Sequence, residues 1–277
     1  ISSDRLDKTN FDCADIGTNS VTLTVTDNNG NVATCISTVL VEDTIPPVVL
    51  CQNVTVQLDI DGVGILTTTE VDAGSTDACL DTLTLDENIF GCGNVGANTV
   101  TLTGTDLDGN SSTCTAEIIV EDNVPPVAGC QDANVQLDSL GFAVLLPSDV
   151  ESGSTDACGI GPLLLDQSVF GCDDLGSNSV TLTVEDENGN SSTCSATVTV
   201  SDPIAPVAEC QNVTLQLNAD GQGSLAAAAV DAGSTDNCDV ASLSLDADTF
   251  DCADIGPNPV VLTVTDQSGN ASTCAAL

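Results

Sequence analysis

Val180-Thr181-Leu182-Thr183-Val184-Glu185-Asp186-Glu187-Asn188-Gly189-Asn190-Ser191-Ser192-Thr193-Cys194 is the stretch on which the fold turns. Its first five residues alternate apolar side chains with threonine, the period-two pattern of a strand with one face buried and one wet. Asp186 to Asn190 reads as a turn, in which Asn188-Gly189 supplies the positive φ that a tight hairpin needs. Beyond it Cys194, Ala196, Val198 and Val200 alternate again, so the segment is a β-hairpin.

The same hairpin recurs at 21–35, 100–114 and 260–274. Pro47, Pro126 and Pro206 mark the same period, about 80 residues, which overrides the two domains that length alone suggests. The boundaries follow: the C-terminal half of one repeat at 1–43, then repeats at 44–123, 124–203 and 204–277, the last strand cut short. Ile1 aligns with Leu80 inside a repeat, so the chain is expected to be a segment of a longer polypeptide. Val54, Val56 and Leu58 alternate before the turn at Asp61-Gly62. Residues 224–230, SLAAAAV, have helix propensity, but their counterpart ILTTTEV is β-rich and the segment is assigned to a strand. About 80 residues with six or seven short strands predict an all-β chain of tandem immunoglobulin-like sandwiches, disulfide-stapled and rod-like. One phenylalanine per repeat, Phe11, Phe90, Phe170 and Phe250, is the expected centre of each core. Each repeat in an extended rod should add roughly 35–45 Å, from strands of about ten residues. Linkers such as Asp122-Asn123-Val124-Pro125-Pro126 are stiffened by proline.

Composition narrows the function. The chain has 42 acidic residues against two basic ones, Arg5 and Lys8, and a net charge of −40, with no His, Trp, Tyr or Met. No Ser–His or Cys–His dyad, His-ligated metal or phosphate-holding basic cluster can be built. Nucleic acid and anionic membranes are therefore excluded as partners. Paired carboxylates without sugar-stacking aromatics make a poor glycosidase, and near-identical repeats offer no unique site, so no enzyme is expected. At 41% hydrophobic the chain is still able to bury cores, unlike a disordered polyanion, and no apolar run is long enough to insert in a membrane. Fourteen cysteines without histidine point to disulfides and an oxidising, extracellular or cell-surface location.

The opening D-x-x-P-P-V…C and the closing V-T-L-T-V-x-D-x-x-G-N-x-x-T-C resemble hyalin-repeat (HYR-like) immunoglobulin-fold domains. The four-cysteine form, with V-D-A-G-S-T-D-x-C and F-x-C-x-x-x-G, is similar to tandem repeats in giant surface proteins and adhesins of Bacteroidetes. The resemblance covers essentially the whole chain. It departs at Gly104, where the other repeats have Val, and at Ser201-Asp202, where others have Glu-Asp. It implies surface attachment, adhesion or fibre formation, export by a type IX system, and no enzyme activity. Partners would be other copies or repeats of the same polypeptide.

Four cysteines per repeat allow three pairings. The first lies at the start of the first strand and the fourth near the start of the last, which run as parallel neighbours. That places Cys51–Cys114, Cys130–Cys194 and Cys210–Cys274 within reach, and the same two positions match the cysteines of simpler hyalin repeats. The remaining pairs are then Cys79–Cys92, Cys158–Cys172 and Cys238–Cys252, closing short surface loops. This leaves Cys13 and Cys35 to partners upstream. The competing scheme, first with second and third with fourth, would join Cys13 to Cys35.

Acidic residues cluster in three places: where one repeat ends (Glu42-Asp43, Glu121-Asp122, Asp202), in the D-x-G-S-T-D loop (Asp77, Asp156, Asp236), and in the hairpin turn (Asp106, Asp108, Asp186, Asp266). All three are expected to converge near a repeat junction. Hard oxygen ligands in loops suit Ca²⁺, which takes six to eight of them, against the plainer reading that Asp is a turn residue on a solvated surface. A binding module for glycans or another surface is the alternative function. Its best candidate is the third repeat, with Phe142 and Gly159-Ile160-Gly161-Pro162. Asn53, Asn110, Asn190, Asn212 and Asn270 begin N-glycosylation sequons, accidental in a bacterial source. Asp43-Thr44-Ile45, Asp81-Thr82-Leu83 and Asp138-Ser139-Leu140 resemble an O-glycosylation motif. Threonine rows such as Thr22-Thr24-Thr26 suit an adhesive face or, more simply, a wetted strand.

Overall fold

The computed structural model describes residues 1–277. The chain forms two compact units, Ile1–Val124 and Pro125–Leu277.

In Pro125–Leu277 the diagnostic hairpin pairs Gly176–Asp186 with Ser191–Ser201, Val180 facing Ala196 and Leu182 facing Cys194. Val180, Leu182 and Val184 are fully buried, and the threonines between them are not. Ile160–Leu165 lies antiparallel along one edge and Ala133–Gln136 parallel along the other, Ala133 beside Val198. A second, smaller layer covers this sheet: a ribbon of Ala143–Val144 with Val169–Phe170, and bridges Val127 to Thr155 and Cys130 to Glu151. Phe170, Leu145 and Val150 fill the space between the layers. The remainder of the unit repeats the plan with Val240–Leu245, Val260–Asp266 and Ala271–Ala276 in one sheet and a ribbon of Gln222–Ser224 with Thr249–Asp251.

Ile1–Val124 has the same plan. Ser3–Leu6, Gly17–Thr26 and Val32–Val41 form a three-stranded antiparallel sheet. Val54–Gln57, Ser111–Glu121, Gly96–Asp106 and Leu80–Leu85 form a four-stranded sheet, its first pair parallel. Phe90, Leu66 and Val71 are buried, as are Val100 and Ile118 of the sheet itself. These are immunoglobulin-like sandwiches. Phe90 and Phe170 are central, each 1% exposed, whereas Phe11 and Phe250 are only partly buried.

Two further expectations fail. The segment assigned to a strand is a single helical turn, Ala227–Val230, and so are its counterparts Thr68–Val71 and Pro147–Val150. In the two counterparts the reason is local: the Glu70 carboxylate accepts the Thr67 amide at 2.8 Å, and Asp149 does the same for Leu146. This helix-start arrangement holds Val71 and Val150 in the core, and Val230, whose turn lacks it, is likewise at 0% exposure.

The second failure concerns cysteines. The structure has Cys51–Cys114, Cys130–Cys194 and Cys210–Cys274. It does not have Cys79–Cys92, Cys158–Cys172 or Cys238–Cys252. Instead the third cysteine of one repeat bonds the second of the next, as Cys13–Cys79 and Cys172–Cys238. Cys13 therefore has its partner within the chain, and Cys35 and Cys252 are free. Strand geometry explains this. Ile160, just after Cys158, pairs with Asp186 at one end of the strand Gly176–Asp186, whereas Cys172 precedes Gly176 at the other. Ten residues of strand span about 33 Å, and a disulfide reaches at most about 7 Å between Cα atoms. Cys79 and Cys92 are kept apart in the same way, since Leu80 pairs with Asp106 and Cys92 precedes Gly96.

Candidate metal centre

The hairpin turn is built around one aspartate. Asp266 accepts the Asn270 amide at 2.8 Å through Oδ1 and the Asn270 side-chain Nδ2 at 2.8 Å through Oδ2. The chain can fold back so tightly because Gly269 sits at φ +89°, where a side chain would be strained. Nδ2 of Asn270 also donates to the carbonyls of Asp202 (2.9 Å) and Ile204 (3.2 Å). This fastens the linker after strand Ser191–Ser201 onto the following hairpin. Asp202 Oδ1 accepts the Ile204 amide at 3.0 Å and Asn237 Nδ2 at 3.1 Å. The third carboxylate comes from the D-A-G-S-T-D loop. Asp231 accepts the Ser234 hydroxyl and amide, which hold its carboxyl below the usual aspartate range. Asp236 accepts the Cys238 amide at 2.8 Å through Oδ2.

Asp202, Asp236 and Asp266 thus converge, one oxygen from each lying within 4.8 Å of the others. Asp202 is 5% and Asp266 3% exposed. Asp202 Oδ2, Asp236 Oδ1 and Asn237 Oδ1 are buried with no hydrogen-bond donor. Buried carboxylate oxygens normally have a partner, and two carboxylates at this spacing repel by roughly 3–4 kcal/mol at an effective dielectric of about 20. No protein cation is available to offset that. Arg5 and Lys8 are the only basic side chains, and Lys8 pairs with Asp15. The donor set is all hard oxygen, three carboxylates and the Asn237 amide carbonyl, which fits a divalent cation such as Ca²⁺.

In Ile1–Val124 the structure brings Asp43, Asp77 and Asp106 together in the same way. Burial pushes the Asp106 carboxyl up, but hydrogen bonds from the Asn110 side chain and amide outweigh it and hold the group below its ordinary value. Asp108 stands outside this group and accepts the Asp43 amide at 2.8 Å. Glu42 is exposed, and Glu121 is occupied by Gln57 at 2.7 Å. Asp122 caps the Val124 amide, Asp156 caps the Cys158 amide, and Asp186 holds its own turn through the Asn190 amide and side chain. Sequence reasoning missed Asn237. Its one signal is that the corresponding positions are Ala78 and Ala157.

The fold and this centre define an all-β chain of immunoglobulin-like, disulfide-stapled repeats with acidic clusters where one repeat follows another. Over 217 residues, 73% of its length, the chain is 31% identical to Hyalin from Strongylocentrotus purpuratus. It spans only 18% of that protein. Its repeats are thus hyalin-like in sequence and immunoglobulin-like in fold. No protein-family model matches the chain. Among solved structures it is similar to the protocadherin GammaB4 extracellular domain, at 14% identity and TM-score 0.35 over 93% of this chain and 52% of that one. It is also similar to Drosophila N-cadherin EC1-4, at 13% identity and TM-score 0.28 over 97% and 85%. At those scores neither likeness establishes a function or a ligand. No helix is long and apolar enough to cross a membrane.

Proposed function

We propose that the chain is a structural segment of an extracellular fibre or adhesin stalk whose repeat junctions are stiffened by calcium. The observation that carries the reading is the orphaned Asp202 Oδ2, buried and facing two further carboxylates. Bound Ca²⁺ would supply the missing positive charge. Asp202 belongs to the linker, while Asp236, Asn237 and Asp266 belong to the repeat after it. One ion held by all four would therefore tie the linker to that repeat and limit bending. Its relief of the −40 net charge acts in the same direction. The disulfides support an oxidising, extracellular setting. The finer assignment, a rod on a bacterial cell surface with copies of the same polypeptide as partners, rests on the motif resemblance and needs no catalytic activity.

The test is thermal unfolding at low ionic strength, with and without a chelator, for the native chain and for Asp202→Asn. A cation at a hundred times its dissociation constant stabilises the folded state by about 2.7 kcal/mol. Calcium should raise the native midpoint and raise that of Asp202→Asn less. Identical midpoints with calcium and with chelator would remove the ion from the account.

One observation favours the alternative, a surface- or glycan-binding module. Leu140, Phe142, Val144 and Leu146 are 74%, 56%, 65% and 55% exposed, an apolar row on the outer face of the third repeat. Under that reading Phe142→Ser abolishes adhesion and leaves stability unchanged.

A further inference from the structure

The disulfides of Pro125–Leu277 do more than staple individual repeats. Cys130–Cys194, Cys172–Cys238 and Cys210–Cys274 close loops that overlap in sequence. Every peptide bond from Cys130 to Cys274 lies inside at least one of them. Residues 195–209, the rest of strand Ser191–Ser201 and the linker after it, lie outside both first-to-fourth loops and are covered by Cys172–Cys238 alone. In Ile1–Val124, Cys13–Cys79 and Cys51–Cys114 overlap in the same manner.

The bridging disulfide sits in a built junction. Cys238 is 3% exposed and packs into the core formed by the preceding repeat, beside Phe170 and Leu145. The turn Asp138–Gly141 of that preceding repeat lies against it. Asn237 Nδ2 donates to the Asp138 carbonyl at 3.3 Å, and a Cβ on Gly141 would come within 2.7 Å of the Asn237 carbonyl and 3.0 Å of Cys172 Sγ. Gly141 is at φ +78°, so a side chain is barred there both by the backbone and by the neighbour.

From this covalent topology we infer that the protein is a load-bearing tether that stretches little when its repeats unfold and stays joined when its backbone is cut. This rests on the structural reading above, but not on calcium. Under tension between Cys130 and Cys274 the shortest covalent path crosses two disulfides and the sixteen peptide bonds from Cys194 to Cys210. At about 3.5 Å per residue that path extends to roughly 70 Å, against roughly 500 Å for the same chain without disulfides. A hydrolytic cut in the linker adds one water across a peptide bond and leaves every S–S bond intact. The load then passes through Cys172–Cys238, and the tether lengthens to roughly 190 Å without parting.

The sequence supplies its own test. Asp202-Pro203 is its single Asp-Pro bond, and such bonds are cleaved selectively by warm dilute acid, where thiolates are scarce and disulfide exchange is suppressed. The full chain is alkylated to block Cys35 and Cys252, cleaved, and run with and without reductant. Residues 1–202 and 203–277 should migrate together unreduced and separate once reduced, the reduced lane certifying the cut. The double variant Cys172→Ser/Cys238→Ser should separate without reductant. Separation of the native chain without reductant, or cohesion of the double variant, would overturn the proposal. Neither result bears on calcium binding, so the two readings fail independently. Pulling the uncut chain by its ends gives a second measurement. Unfolding steps of about 200 Å per repeat should appear only after reduction, and their appearance before reduction would equally overturn it.

Discussion

At Gly104 a buried strand position lacks the valine that every other repeat has there, and the structure gives the reason. The other repeats have Val25, Val184 and Val264 there, the last two fully buried. A Cβ on Gly104 would come within 2.7 Å of Val49 Cγ2 and 3.3 Å of Leu83 Cδ2. The leucine is common to the full repeats, as Leu163 and Leu243, but Val49 is not: its counterparts are Ala128 and Ala208. Val49 with Gly104 thus fills the volume that alanine with valine fills elsewhere. Gly104→Val alone should overpack the core and cost about 1–3 kcal/mol. Val49→Ala alone removes two partly buried carbons and should cost roughly 1–1.5 kcal/mol. The double variant reproduces the pairing of the other repeats and should lie near or above the native chain, since valine also suits a strand better than glycine. The coupling energy is then about 2–3 kcal/mol. Several repeats do not unfold as one two-state system, so the assay is native-state hydrogen exchange of peptides covering 96–121, digested after reduction under quench conditions. Additive effects of the two substitutions, or a Gly104→Val chain as protected as the native one, would refute the compensation.

Acid should weaken the sheets. Asp86 and Asp166 accept the Thr101 and Thr181 amides at 2.8 Å, and those bonds, against some burial, hold both carboxyls below the ordinary 3.8. A depressed folded-state value contributes stability that is present above the unfolded value and lost as pH falls through the folded one. Denaturant midpoints in about 0.5 M salt, which screens self-repulsion, should therefore fall below about pH 4. Asp86→Asn/Asp166→Asn should start lower at pH 7 and fall less, and a native midpoint that stays flat to pH 2.5 would contradict the assignment. Thiol titration of the unreduced, unfolded chain should find two reactive groups, Cys35 and Cys252. More than two would mean that a bridge is absent.

Much of this architecture was legible in the chain. The hairpins, the 80-residue period and the parallel approach of the first and fourth cysteines follow from patterns a few residues long, repeated in register. Alternation of Val180, Leu182 and Val184 against threonine commits a strand and chooses its buried face whatever surrounds it. The acidic clusters were legible as residue types, because aspartate in the turn, the loop and the linker recurs once per repeat. Which carboxylates meet was not. Asp202, Asp236 and Asp266 come from three segments that only the packed sandwich brings within 4.8 Å, while Glu42, Asp108 and Glu121 look equivalent in sequence and point elsewhere. The helical turn at Ala227–Val230 escaped because its stabilisation comes from burying Val230. The cysteine pairing escaped for the strongest reason. Cys158 and Cys172 are fourteen residues apart in sequence but lie at opposite ends of an eleven-residue strand, whereas Cys172 and Cys238 are separated by 66 residues yet have Cα atoms 5.3 Å apart. A disulfide obeys distance in space, and here the stiffness of a strand makes that distance the reverse of the order along the chain.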